Sequence, residues 1–123
     1  MSDDLIHWLQ TLMRAERAGA RVMLDSLRQT DEPIVRQRLE RLHEGEAESC
    51  RRLRRCLEHL GAKPDGGVGD FHASAMAIED LELRFDFIGR GQRWVARQIT
   101  QRLPEIDEPW LREELEAVLR LHQ

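Results

Sequence analysis

Residues 39–60 read LERLHEGEAESCRRLRRCLEHL. Apolar side chains recur in this stretch at spacings of three and four, which is the period of a helix with one buried face. Glu46 falls on that apolar stripe, whereas Glu44 and Glu48 point roughly 160° away from it at 100° per residue. The segment therefore predicts a long amphipathic helix that carries one carboxylate into the core.

The same period extends over most of the chain and predicts an all-α fold with four long helices. We place these helices at residues 3–28 with Ser2 as cap, from Asp31-Glu-Pro33 to Gly61, at 78–103 before Pro104, and from Asp107-Glu-Pro109 onward. Acidic residues and proline are typical of helix starts, and glycine of helix ends. Residues 61–77, GAKPDGGVGDFHASAMA, form the one long connection, with Asp70 as the cap of a short extra helical turn.

Composition predicts a single domain over residues 1–123. With 123 residues, the chain is long enough for one hydrophobic core. Its 41% hydrophobic and 34% charged residues are typical of a soluble helical protein in which each helix exposes one charged side. Its net charge of -4 gives no general attraction to nucleic acid or to an anionic membrane. The basic run CRRLRRC, residues 50–56, contains no aromatic residue for base stacking, so we interpret it as a solvated helix face. We therefore expect no nucleic-acid partner and no membrane partner.

Three features of the sequence predict a cytoplasmic protein. No apolar run approaches the roughly 20 residues that a membrane span needs, and the N-terminus carries acids where a secretory signal would carry bases. Cys50 and Cys56 lie on one predicted helix, roughly 9 Å apart along its axis, and they point in different directions. We expect both to be reduced thiols, as in a reducing compartment.

Each predicted long helix places one polar side chain on its apolar stripe. These side chains are Glu16, Glu46, Gln92 and His122. They lie at similar distances from the helix ends, so in a bundle they would share one level. A buried carboxylate needs a hydrogen bond, a cation or a metal ion to keep its charge, and two adjacent carboxylates need it more. We therefore expect Glu16 and Glu46 to share a compensating group.

Three stretches carry a resemblance to a known fold family. These are AERAGA at 15–20, HLGAKPD at 59–65 and GQRWVARQI at 91–99. Together with the helix order and the inward acids, they resemble ferritin-like domains, and more narrowly an uncharacterised bacterial ferritin-like family of unknown function. The resemblance implies a four-helix bundle in which the second and third long helices run parallel, joined by a crossover.

Ferritin-like di-iron proteins use one Glu from each of two helices and a Glu-x-x-His pair from each of the other two. The resemblance matches Glu16 and Glu46 to two of those acids. The remaining positions hold Ser49, Gln92 and Leu119, so a dinuclear centre would be incomplete.

Two interpretations of the polar layer stay open. It is either a hydrogen-bonded cluster that retains a proton, or a site for one divalent ion, Fe, Mn or Zn, held by Glu16, Glu46 and His122. Gln92, Cys50 and His43 lie near enough to assist. The sequence favours a non-catalytic bundle with a degenerate metal site; the alternative is an iron- or manganese-dependent oxidoreductase with a mononuclear or loosely held dinuclear site. Whether the protein is an enzyme stays open.

A second apolar stripe, Leu83, Phe87 and Trp94, lies on the face of its helix opposite Gln92. Either the 61–77 connection covers it or it forms a homodimer interface. Gly89 and Gly91 lower the helix propensity near Gln92, and they predict a bend or a close approach of another backbone there.

Overall fold

The computed structural model describes residues 2–122, and in that range it contains five α-helices, a 3-10 turn and no strand. The helices are α1 (Ser2–Leu27), α2 (Pro33–His59), α3 (Phe71–Met76), α4 (Leu81–Arg102) and α5 (Pro109–Leu121). The 3-10 turn, Leu103–Glu105, follows α4 directly. The all-α prediction is confirmed, and α3 is the short extra helix expected in the long connection.

Local chemistry explains where the helices begin. Glu32 precedes Pro33 and accepts a hydrogen bond from the backbone N–H of Val35 at 2.9 Å. Asp80 caps α4 in the same way, so this helix starts at Leu81 and not at the predicted Ile78. Asp70 occupies the cap position of α3 but makes no capping hydrogen bond. The cap predicted at Ser2 lies outside the described side chains.

The connection between α2 and α4 runs along α1. Gln10 donates to the carbonyl oxygen of Lys63 at 2.7 Å, and the guanidinium of Arg14 lies 2.9 Å from the carboxylate of Asp65. Further along, His72 of α3 contacts Asp25 at 2.6 Å. Since these partners follow α1 from its N-terminal part to its C-terminal part, the connection returns the chain to the end where α2 began.

Contacts at both ends of α4 give its direction. Arg84, in its first turn, donates to Ser26 at 2.9 Å and to Gln29 at 2.7 Å, beside the turn between α1 and α2. Arg102, its last residue, pairs with Asp4 at the start of α1. The helix α4 therefore runs antiparallel to α1 and in the same direction as α2.

The last helix, α5, is about half as long as the helices beside it. It starts next to the end of α2, where Glu108 contacts His59, and its middle pairs with α2 through Glu114 and Arg52 at 3.1 Å. Its C-terminal His122 reaches Glu16, near the middle of α1. At 1.5 Å per residue, α5 covers only one half of the molecule.

Two separate hydrophobic clusters form the core. The lower core, at the end covered by α5, contains Leu9, Leu12, Met13, Leu53, Cys56, Leu57, Val95, Ile99, Ile106, Leu111, Leu115 and Val118. The upper core, covered by α3, contains Val22, Met23, Leu39, Ala75, Phe85 and Ile88. Glu16, Glu46 and Gln92 fall between the two sets on their respective helices. A polar layer therefore lies at the boundary of the two cores.

The short helix α3 covers part of the second apolar stripe on α4. Phe71 stacks on Phe87 with ring centroids 5.0 Å apart, and Trp94 is half-buried against the lower core. Leu83 stays 59% exposed. A Cβ at Gly91 would lie 2.8 Å from the Phe71 ring, so the close approach predicted there is made by a side chain and not by a backbone.

Replacing Gly91 by Ala should lower the free energy of unfolding, even though Ala is favoured over Gly in a helix by about 1 kcal/mol. The added methyl group displaces a ring that cannot move without losing its stack on Phe87. Hydrogen exchange should show lost protection of α3.

Gly45→Ala is the matched control, because nothing lies within 4 Å of a Cβ at that helical position. Chemical denaturation should show it to be more stable than wild type by about 0.5–1 kcal/mol. A Gly91→Ala protein as stable as the Gly45→Ala protein would contradict the close packing of α3 on α4.

Candidate functional site

Glu16 and His122 form one half of the polar layer. Glu16 is 2% exposed, and the Nε2 atom of His122 lies 2.7 Å from its Oε2 atom. The other ring nitrogen, Nδ1, donates a hydrogen bond to the carbonyl oxygen of Val118 at 2.8 Å. Because a carbonyl can only accept, the Nδ1 atom carries a proton and Nε2 is directed toward the carboxylates.

Glu46 forms the other half, and Gln92 holds it in place. The side-chain amide of Gln92 donates to the Oε1 atom of Glu46 at 2.6 Å. The Oε2 atom lies against Gly19, where a Cβ would come within 2.9 Å of it. Glycine at position 19 therefore leaves the space that the carboxylate occupies on α1.

Three polar atoms of the layer are buried without a hydrogen bond. They are Oε2 of Glu16, Oε2 of Glu46 and Nε2 of His122. The short contact between Glu16 and His122 thus brings their atoms together without the alignment that a hydrogen bond needs. One ligand atom from each of the three residues lies within 4.8 Å of the others. These are residue types that could together hold a metal ion.

The electrostatics of the layer favour uptake of positive charge. Burial and the neighbouring Glu16 carboxylate raise the pKa of Glu46 well above its ordinary range. Burial lowers the pKa of His122, but the close Glu16 carboxylate and the hydrogen bond to the Val118 carbonyl outweigh it, so its pKa is raised. Without a metal ion, the layer therefore holds protons more tightly than the same groups do in an unfolded chain.

A cavity of about 220 Å³ adjoins the layer on the side of α3. Glu16, Glu46 and Gln92 contribute the polar part of its lining, and the remainder is apolar or small. The apolar or small lining residues are Ala15, Gly19, Phe71, Ile88, Gly91, Trp94 and Val95. The buried carboxylates thus face a space large enough for a small molecule.

The structure brings together Glu16, Glu46, His122 and Gln92, whereas the two additional ligands that the sequence suggested are not part of this group. Neither Cys50 nor His43 belongs to the group of mutually close ligand atoms. Burial, followed by the charges of Glu16 and Glu46, raises the pKa of the Cys50 thiol to about 12, so this thiol stays protonated. Cys50 and Cys56 are both free, as expected.

Two further buried charges were missing from the sequence interpretation. Arg84 is 2% exposed and donates to the carbonyl oxygen of Ile78 as well as to the end of α1. Glu114 is 8% exposed and pairs with Arg52 and Arg55. The basic run on α2 is therefore in part an interhelix contact and not wholly a solvated face. Helical periodicity gave no signal for either charge, since the partners are distant in sequence.

Fold and site together define an all-helical protein whose buried Glu/Glu/His group separates two cores. The family model for a domain of unknown function, DUF6306, matches residues 3–123, and the chain belongs to this family. No curated protein and no solved structure matches the sequence. None of the described helices combines the length and the hydropathy needed to cross a membrane.

The stability of the metal-free protein should decline as pH rises above 4.5, the ordinary pKa of a glutamate side chain. Glu46 and His122 both have raised pKa values in the folded state, so folding takes up protons, and that stabilisation is lost as pH rises through the folded pKa values. Glu46→Gln removes one acid at nearly constant volume and keeps an acceptor for Gln92. At pH 7 and with chelator present, it should raise the free energy of unfolding by roughly 1 kcal/mol or more and flatten the decline.

Glu44→Gln is the control, since it removes an exposed acid from the same helix. It should change the free energy of unfolding by no more than about 0.5 kcal/mol at every pH. Urea denaturation across the pH range measures all three proteins. A Glu46→Gln protein less stable than wild type in chelator would show that the carboxylate is satisfied by the fold itself.

Proposed function

We propose that this protein is a ferritin-like helical bundle that binds one divalent metal ion through Glu16, Glu46 and His122. The observation that carries the proposal is a group of three residues that each offer a ligand atom within 4.8 Å of the others. Each of the three also has a buried polar atom without an aligned hydrogen bond. The path of the chain supports the ferritin-like part, because α2 and α4 run in one direction and the intervening segment returns along α1.

The donor set suits a mononuclear site. Two carboxylates and one neutral imidazole are ligands that iron, manganese and zinc accept, and the Nδ1 bond to Val118 leaves Nε2 free for the metal. In metal-binding histidines, the ring nitrogen that does not bind the metal commonly donates to a carbonyl in this way, which fixes the orientation of the ring. A divalent ion would also compensate the two carboxylate charges.

A dinuclear site has less support. Ser49 and Leu119 occupy positions where ferritin-like di-iron proteins carry ligands, and Gln92 offers an amide that is already bound to Glu46. We therefore infer a binding or structural role for the metal in a protein that is not a catalyst.

A metal-dependent oxidoreductase using iron or manganese is the second candidate. It is favoured by the cavity of about 220 Å³, which borders two of the three ligands and could admit a small reactant. Oxygen consumption by the iron-loaded protein with a reductant tests it; a rate equal to that of free iron would contradict it.

Location and assembly are proposals as well. The free thiols of Cys50 and Cys56 support a reducing compartment, the cytoplasm. A homodimer through Leu83, Phe87 and Trp94 keeps support mainly from Leu83, because α3 stacks on Phe87. Sedimentation at micromolar concentration would show whether the dimer forms.

Titration calorimetry of chelator-stripped protein with Mn²⁺ or Zn²⁺ should show one ion bound per chain. Glu16→Gln, Glu46→Gln and His122→Gln each remove a ligand, so each should weaken binding at least tenfold. At an ion concentration of about 100 times Kd, the metal should raise the free energy of unfolding of the wild type by about 2.7 kcal/mol. Glu46→Gln should lose this gain, although it stabilises the metal-free protein.

His43→Gln and Cys50→Ser are matched controls on the same helix and should bind the ion within about threefold of wild type, because neither belongs to the three-residue group. Equal binding by the wild type and all three ligand variants would contradict the site. Loss of binding in the two controls would place the ion elsewhere on α2.

A further inference from the structure

We propose that the cavity beside the polar layer binds a small primary amine with an apolar body about the size of a single ring, its ammonium group facing Glu46. This inference does not require the metal site, because the cavity is a separate observation; the Oε2 atom of Glu46 is common to both proposals. An ammonium ion and a metal ion would be alternative partners of the same oxygen.

The size of the cavity sets the size of the ligand. Its volume is about 220 Å³, and engineered protein cavities of about 150 Å³ bind benzene. The walls contributed by Ile88, Val95 and Trp94 are apolar, and small residues at Ala15 and Gly91 keep the space open. An apolar ring or short branched chain would gain hydrophobic stabilisation there without leaving polar groups unpaired.

The charge of the cavity selects the head group. Glu16 and Glu46 both line it, and the imidazole of His122 faces Glu16. The Oε1 atom of Glu46 accepts from Gln92, while its Oε2 atom is buried and has no donor. A ligand ammonium supplies both the donor and the missing positive charge, whereas a carboxylate would be repelled.

Aromatic residues complete the apolar part of the cavity. Phe71 and Trp94 both line it, together with the carboxylates. Phe71 comes from α3, so the short helix in the long connection completes the cavity whose acids come from α1 and α2.

The test compares three ligands with one ring and different head groups on metal-free protein in chelator. Benzylamine, toluene and benzoate are titrated, and Kd is obtained from chemical-shift changes of the backbone amides of Gly19 and Gly91. Benzylamine should bind at least tenfold more tightly than toluene, and benzoate should bind more weakly than toluene. Equal Kd values for benzylamine and toluene, or no binding by any of the three, would overturn the proposal.

Two variants test separately the contribution of the Glu46 charge and that of the cavity volume. Glu46→Gln should weaken the binding of benzylamine at least tenfold and change the Kd of toluene by less than about twofold. Ala15→Leu should fill the cavity and weaken the binding of both ligands. The control Ala73→Leu, which adds the same side chain at an exposed position of α3, should leave both Kd values unchanged. Unchanged benzylamine binding in either Glu46→Gln or Ala15→Leu would overturn the proposal, and Ala15→Leu decides if Glu46→Gln does not fold.

Failure of this proposal and failure of the metal proposal give different results. Protein that binds benzylamine in chelator but no Mn²⁺ or Zn²⁺ keeps the cavity proposal and loses the metal site. Protein that binds the ion but no benzylamine does the reverse. If both bind, saturating Zn²⁺, which is diamagnetic, should weaken benzylamine binding and leave toluene binding unchanged, because the ion and the ammonium use the same carboxylate.

Discussion

A second buried carboxylate, in a layer that supplies one imidazole, is the constraint on which the rest of this structure depends. Glu16 has His122 beside it, but Glu46 has only the neutral amide of Gln92. A carboxylate that is 4% exposed keeps its charge only with a cation or additional hydrogen bonds. A proton, a metal ion and an ammonium ligand are three ways to meet that need, and each would give the protein a different stability.

The layer also separates the two cores, and a different helix covers each of them. Below it, α5 completes the packing of α1, α2 and α4, and it ends where its last described residue, His122, reaches Glu16. Above it, Ala75 and Phe71 of α3 take part in the packing instead. A cavity lies next to the layer, where Phe71 of α3 packs against Phe87 and Gly91 of α4. The position of the cavity beside the acids is thus a consequence of the chain path.

The sequence predicted those features that periodicity encodes. Glu16, Glu46 and Gln92 could be assigned inward positions because each interrupts a regular apolar stripe, and the helix starts followed from proline and acidic residues. Contacts between residues far apart in the chain have no such local signal. The burial of Arg84 depends on Ser26 and Gln29, and that of Glu114 depends on Arg52 and Arg55. Phe71 could not be placed on Gly91 for the same reason, although the glycine itself indicated a close neighbour.

Carbon-13 NMR titration of the Glu46 carboxyl group in chelator-stripped protein tests the unbalanced charge most directly. Burial beside Glu16 should place its pKa well above the ordinary value of 4.5. Saturating Zn²⁺, which is diamagnetic, should then shift the midpoint to lower pH, because the ion binds the deprotonated form. A Glu46 carboxyl that titrates near 4.5 without metal would contradict the account, since the fold would then already supply the partner that the structure leaves missing.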